Sequence, residues 1–307
     1  MTQPMLTAVH TPDLTLAPPS PAICIGLPVY NGARFLPDTL NSLLGQSFSD
    51  FELIISDNAS TDETERICRD FAMLDARIRY IRQPLNIGAM RNANFVANQA
   101  QSKYFKWSSA SDYCAPDMLT RCFAAMEADP DIILCYGRTC LVDEETGRLE
   151  AYADDIDVME DHPHDRLLTL LRSLRLNNAY CGLIRVNALH QTRLNRLYAG
   201  GDIVLMAELA LMGRFLLLPE FFLFRRMGRE SFSGRLNPTN LANFLDPQKS
   251  HKICLQLLSW HLGFFGVALR SPISLPQKMK VFMTLLRHAV WDREKLWAEL
   301  RSALRTQ

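Results

Sequence analysis

From Ala22 onward, short apolar runs alternate with stretches in which apolar residues return every three or four positions, the pattern of parallel strands joined by crossover helices. The runs predict strands over Ile23–Pro28, Phe51–Ser56, Ile78–Arg82, Tyr104–Trp107 and Ile132–Tyr136. The periodic stretches predict helices over Phe35–Gln46, Thr61–Met73, Ala89–Gln99 and Pro116–Glu127. Ser60 followed by Glu63 fits a capping box, and Pro116 with Asp117 suits a helix start. Asp57 and the segment Ser108–Ala115 therefore fall at the carboxyl ends of strands, where open α/β sheets place their ligands.

The regularity changes after Leu141. A hairpin turn is expected at Glu145–Arg148, then an acidic loop over Asp154–Asp165, a helix over Arg166–Leu176 and a strand over Tyr180–Val186. Gly200-Gly201-Asp202 leads into a helix over Ile203–Met212, and two short strands follow around Phe215–Leu218 and Phe221–Arg225. The tail from Thr239 is helical in pattern and is divided into two segments by Pro272 and Pro276. Its apolar stretch Ile253–Leu269 contains Gln256, Ser259 and His261 and falls short of the roughly 20 residues that span a bilayer, so it reads as a buried or amphipathic helix. Residues 1–21, with Pro18, Pro19 and Pro21 and no apolar block, read as a disordered lead-in rather than a secretory signal. The expected organisation is a lead-in over 1–21, an α/β domain over 22–236 and a helical extension over 237–307.

Charge and cysteine content narrow the classes. Lys plus Arg and Asp plus Glu number 33 each, so no global field holds the chain on nucleic acid or an anionic membrane, and any basic site must be local. The eight cysteines form no C-x-x-C pair and most sit in apolar runs, which points to a reducing, cytoplasmic setting. His162 and His164 lack partners at metal-ligand spacing and read as a solvated loop.

Four segments carry candidate chemistry: "LPVYNGARF", "SDNASTDE", "LNIGAMRNAN" and "SASDYCAPDML". Asp57, at a strand tip, can accept hydrogen bonds from a nucleoside or can satisfy the amides of the following helix start. Asp62 suits the first turn of that helix. The Gly of "NIG" permits close backbone approach, and Arg91 offers a planar fork to a phosphate or a sugar hydroxyl. Asp202 can serve as a general base or as a helix cap, with Glu208 a lesser choice.

In their order and spacing these segments resemble family 2 glycosyltransferases of the GT-A fold, over roughly Ile23–Ser233. The resemblance implies a Rossmann-like, mixed but mainly parallel α/β sheet flanked by helices, here with a C-terminal helical appendage. It implies a nucleoside diphosphate sugar donor bound by Pro28, Tyr30, Asn31, Asp57, Asn86, Gly88, Arg91, Ser109, Ser111, Arg225 and Arg226, and a Mn²⁺ or Mg²⁺ cofactor held by Asp112. It also implies inverting transfer to a glycan or lipid-linked acceptor in cell-surface polysaccharide assembly, with Asp202 as base.

Two departures stand out. The family's acidic metal cluster, often D-x-D, reads Ser109-Ala110-Ser111-Asp112 here, and Met227-Gly228 occupies the place of an expected His after the Arg pair. They motivate an alternative, a catalytically impaired nucleotide-sugar binding protein. A nucleotidyltransferase would want a Gly-rich loop with a Lys after the first strand, and "LPVYNGARF" has one Gly and no Lys. Trp260, Trp291 and Trp297 lie on amphipathic helical faces that can pack on the domain, meet a partner copy, or make a peripheral contact with the inner face of a membrane.

Overall fold

The computed structural model describes residues 20–228 and 255–305. The first strand, β1 (Ile23–Val29), is buried along almost its whole length because it lies at the centre of a sheet covered on both faces. It pairs in parallel with β2 (Phe51–Asp57) and β4 (Tyr104–Trp107), and β2 pairs in parallel with β3 (Ile78–Arg82). The remaining strands are β5 (Tyr113–Cys114), β6 (Ile132–Asp143), β7 (Leu149–Ala151), β8 (Leu183–Arg185) and β9 (Arg214–Met227). The sheet order is β3-β2-β1-β4-β8-β6-β9-β5, with β7 paired to β6. β8 runs antiparallel between β4 and β6, and β6 and β9 are parallel, so the expected mixed, mainly parallel sheet is observed.

Alternation along the strands sorts side chains between two cores. One face of the sheet buries Leu36, Leu40 and Leu43 of α1 (Leu36–Leu44), Cys68 of α2 (Thr64–Leu74) and Met118, Leu119, Cys122 and Met126 of α4 (Met118–Ala128). The other buries α3 (Ala89–Asn98), α5 (Pro163–Ser173) and α7 (Gly201–Met212), with Val96, Leu170 and Leu205 among the contacts. Phe264 of α8 (Gln256–Arg270) and Val281 and Leu285 of α9 (Leu275–Trp291) extend that second core, so the C-terminal helices pack on the sheet domain. α10 (Arg293–Arg305) follows.

The element order agrees with the expectation, and the differences have local causes. Ser60 and Glu63 form no capping box: α2 begins at Thr64, and the Ser60 hydroxyl instead accepts the Asn31 N–H at 2.9 Å. The strand expected over Tyr180–Val186 is divided into a 3₁₀ turn (Asn178–Cys181), β8 and the short helix α6 (Val186–Leu189), because Gly182 must lie close to the carbonyls of Ala179 and Cys135. The two short strands are one continuous β9, with register shifts against β6 around Gly137 and Arg138. The tail is broken at Asp292 as well as near Pro272, giving three helices among the described residues. The lead-in and the boundary at 236/237 lie outside the described residues.

Gly26 marks where the sheet and α3 approach most closely: a Cβ there would lie 2.7 Å from atoms of both Phe105 and Val96. Gly26→Val should therefore overpack this layer and cost about 1–3 kcal/mol, read as a lower denaturation midpoint with an unchanged m-value.

Candidate functional site

The carboxyl ends of β1, β2 and β3 are locked together by short-range polar contacts. Asn31 adopts a left-handed φ of 49°, a conformation Asn tolerates, and its Oδ1 accepts the Thr61 N–H at 2.8 Å. The Gly32 N–H donates to Thr64 Oγ1 and the Ala33 N–H to Asp62 Oδ2. Asp57 lies at the end of β2 with its side chain fully buried. Its Oδ1 accepts the Ser60 N–H, and its Oδ2 accepts Tyr80 Oη and Arg82 Nη1, each at 2.8 Å. Burial, with Asp57 beside it, pushes the Tyr80 phenol up and keeps it a donor. In this structure Asp57 thus holds the loop and β3 together through three of its roughly four acceptor positions. Pro28 is half-buried on the same rim, whereas Tyr30 is 39% exposed beside it.

The next rim segment is held from below. Buried Asn58 donates to Asn86 Oδ1 at 2.9 Å and accepts the Ile87 N–H at 2.8 Å, while Asn86 Oδ1 also receives the Gly88 N–H. Gly88 has φ 88°, so a side chain there would be strained. This turn launches α3 and places Arg91 on the wall of an open pocket of about 520 Å³, together with Asn94, Arg193, Asn195 and Arg196. The pocket lies between α3 and the segment leading into α7, and neither Asp112 nor Asp202 is among its lining residues.

The loop after β4 is the polar centre. Ser109 and Ser111 hydroxyls bond each other at 2.9 Å, and Ser111 Oγ reaches Asp112 Oδ1 at 3.4 Å. Asp112 is 8% exposed, its carbonyl accepts Thr39 Oγ1 at 2.7 Å, and its Oδ1 accepts the Arg226 N–H at 3.0 Å. Burial raises the Asp112 carboxyl above the usual carboxylate range, opposed by the Arg225 guanidinium and the Arg226 N–H. Arg226 is itself a clamp: it donates to the Ser111 carbonyl and to Asp38, with its guanidinium over the rings of Phe35 and Tyr113. Its side chain is 11% exposed, which makes it the support of the loop more than a free cation for a ligand.

Asp202 sits in the first turn of α7 behind Gly200, whose φ of 76° sets the entry into the helix. Asp202 is half-buried, and its Oδ2 accepts Asn177 Nδ2 at 2.9 Å. The neighbouring Asn178 accepts Arg225 Nη1 at 2.8 Å and donates to Asp155 at 3.0 Å. One turn therefore grips Asp202 with its first asparagine and, with its second, Arg225, whose charge acts on Asp112. Glu208 is buried and lies 3.6 Å from Arg196 and 3.8 Å from Arg270, a structural carboxylate.

Sequence reading missed Asn177, Asn178, Tyr80, Arg82 and Lys106. Lys106 is fully buried in β4, its Nζ donating to the Trp107 carbonyl at 3.1 Å, and its charge is felt by the thiols of Cys114 and Cys181 below the Asp112 loop. Burial pushes the Cys181 thiol up to about 11, so it packs as a neutral group. A lysine in a strand otherwise made of aromatic residues was the available signal; the "NN" at 177–178 offered none without its partners.

A divalent cation fits only a minimal site here. Asp112 Oδ1 accepts the Arg226 N–H, and the Ser109 and Ser111 hydroxyls adjoin the carboxylate. No group of three or more His, Cys, Asp or Glu side chains that could hold a metal gathers among the described residues. One carboxylate suffices for a hard cation when phosphate oxygens and waters complete the shell. The three donors on Asp57 carry a separate expectation: Asp57→Ala should destabilise by about 2–5 kcal/mol, since it strands a buried hydroxyl and a guanidinium. Thermal unfolding of Asp57→Ala beside Asp202→Ala, which should lose far less, checks it.

A family model described as glycosyl transferase family 2 matches residues 24–192, more than half of the 307-residue chain. Glycosyltransferase GlyG of Streptococcus pneumoniae is 27% identical over 139 residues, covering 45% of this chain and 46% of that protein. The putative teichuronic acid biosynthesis glycosyltransferase TuaG of Bacillus subtilis is 32% identical over 101 residues, covering 33% and 40%. These alignments span less than half the length of the curated relatives. Among solved structures, S. aureus TarS 1-349 in complex with UDP-GlcNAc superposes with a TM-score of 0.63 at 16% identity, covering 89% of this chain and 74% of that one. The same protein in complex with UDP gives 0.61 at 17%. At such identity the likeness is one of fold, and it agrees with the strand order and flanking helices described above. With the family match spanning β1 through α6 and the loops that meet at Asp112, the chain belongs to glycosyl transferase family 2.

Proposed function

We propose that the protein transfers a sugar from a nucleoside diphosphate sugar to a hydroxyl of a glycan or lipid-linked acceptor, with inversion at the anomeric carbon, in cell-surface polysaccharide assembly. The observation that carries this reading is the Asn177–Asn178 turn, whose first asparagine donates to Asp202 and whose second accepts from Arg225, the arginine whose charge acts on buried Asp112. A base on one side and a charge-bearing diphosphate cradle on the other is what single displacement requires. The names of relatives lend support: TarS has been crystallised with UDP and UDP-GlcNAc, and TuaG is assigned to teichuronic acid biosynthesis. Buried free thiols among the described residues favour a reducing, cytoplasmic setting.

In the proposed reaction Asp202 takes the proton of the acceptor hydroxyl as its oxygen bonds to the anomeric carbon. The bond from that carbon to the diphosphate oxygen breaks, and the leaving diphosphate carries away the electron pair. Arg225, held by Asn178, would face that growing negative charge. The donor is assigned to the rim residues Pro28, Tyr30, Asn31, Asn86, Gly88 and Arg91 and the hydroxyls of Ser109 and Ser111, of which Arg91 lines the open pocket. Asp57 acts there by holding the rim through Arg82 and Tyr80. A divalent cation, when bound, would sit at Asp112 and add to the neutralisation of the diphosphate. Asn177 keeps the Asp202 carboxylate oriented.

Asp202→Asn should keep donor affinity and lower turnover about 10²–10⁴-fold, the usual worth of a positioned base. Asn177→Ala should lower kcat with little change in donor KM; near-normal turnover in Asp202→Asn removes the base assignment, and a catalytically impaired binding protein would show no turnover even in wild type. Because Asp112 is the sole carboxylate available to a cation in this loop, Mn²⁺ alone should leave the melting temperature unchanged, whereas UDP with Mn²⁺ should raise it above UDP alone.

A further inference from the structure

Helix α9 packs on the domain by one side only. Val281 and Leu285 are buried, and Phe282 stacks on Phe265 of α8 with ring centroids 5.7 Å apart. On the opposite side Leu275, Met279, Met283, Leu286 and Val290 are 73%, 59%, 51%, 49% and 55% exposed. Their spacing of four, four, three and four residues, at 3.6 residues per turn, gathers them within an arc of about 80° along the full helix. Trp291 at its end is 72% exposed and Trp297 of α10 is 61% exposed. A continuous apolar stripe of this length on a soluble surface marks a contact surface rather than scattered exposure.

Charge selects the occupant. α9 carries Lys278, Lys280 and Arg287 and no carboxylate, and by helical angle Lys280 and Arg287 border the stripe. Residues 255–305 hold eight Lys and Arg against three Asp and Glu, a net +5, so the remainder of this neutral chain is −5. A second copy meeting this face through a two-fold contact would bring like charge onto like charge. An anionic lipid surface instead matches both halves of the pattern, receiving the stripe at the headgroup boundary and attracting the flanking cations. None of the helices among the described residues is long and apolar enough to cross a membrane, which agrees with a helix lying in the interface plane.

We infer that the outer face of α9, with Trp291 at its end, docks the protein peripherally on an anionic bilayer. The inference stands independently of the catalytic reading, since none of these residues belongs to the donor or base machinery. Co-sedimentation with vesicles of phosphatidylcholine alone and of phosphatidylcholine mixed with phosphatidylglycerol tests it. The intact protein should pellet with the phosphatidylglycerol vesicles, release as salt is raised, and stay in solution with phosphatidylcholine; its tryptophan emission should shift to the blue on binding. Met279→Glu with Leu286→Glu, and separately Lys280→Glu with Arg287→Glu, should each weaken binding by roughly tenfold or more while leaving the melting temperature and UDP affinity unchanged. Equal sedimentation of the variants, no binding by the wild type, or a concentration-dependent dimer that Met279→Glu dissociates would each overturn the assignment.

Discussion

The site depends on a buried aspartate that is tied in three directions. Asp112 offers its carbonyl to Thr39 of α1, a carboxylate oxygen to the backbone of β9 at Arg226 and the same oxygen to the Ser111 hydroxyl, with the charge of Arg225 acting on it. Burying a carboxylate is costly unless such partners are supplied. The chain supplies them by pairing the short β5 against the end of β9 and by letting Arg226 pass between Phe35 and Tyr113 to reach Asp38. The loop that carries Ser109 and Ser111 is fixed as a by-product. In the proposed reaction a loop this constrained would need little reorganisation to stabilise the leaving diphosphate.

From that anchor the remaining polar groups follow in sequence around the strand ends. Arg225 leads to Asn178, its neighbour Asn177 leads to Asp202, and Tyr180 in the same turn stacks on Trp107 at 4.4 Å. The turn is thus seated on β4 itself, one residue from the Asp112 loop. On the other side of β1, Asp57, Tyr80 and Arg82 form a second closed set that shapes the rim. The α7–α8 contact backs this arrangement, with Trp260 donating to the Ala199 carbonyl just before Gly200. The C-terminal helices therefore brace the entry to Asp202 through Trp260.

Most of the fold was legible because strand and helix periodicities are local: β3 and β4 were placed to the residue, and β1, β2, α1, α3 and α4 to within two. What was illegible depended on distant partners. Ser60 and Glu63 spell a capping box, yet the hydroxyl is taken by Asn31, 29 residues away. Phe215–Leu218 and Phe221–Arg225 read as two strands because Pro219 and Glu220 interrupt the apolar run, and only the register shift against β6 carries one strand through. In the site, the aspartates announced themselves by type and position. What holds each of them did not: Tyr80 and Arg82, which bind Asp57, lie 23 and 25 residues on, and Asn177, which binds Asp202, lies 25 residues before it.

The most direct test of the account is a crystal structure of the protein soaked with UDP and Mn²⁺. The account predicts the diphosphate against Asp112 and Arg225, with the position of the departing sugar open toward Asp202. A nucleotide seated elsewhere, with its phosphates remote from both Asp112 and Arg225, would contradict it.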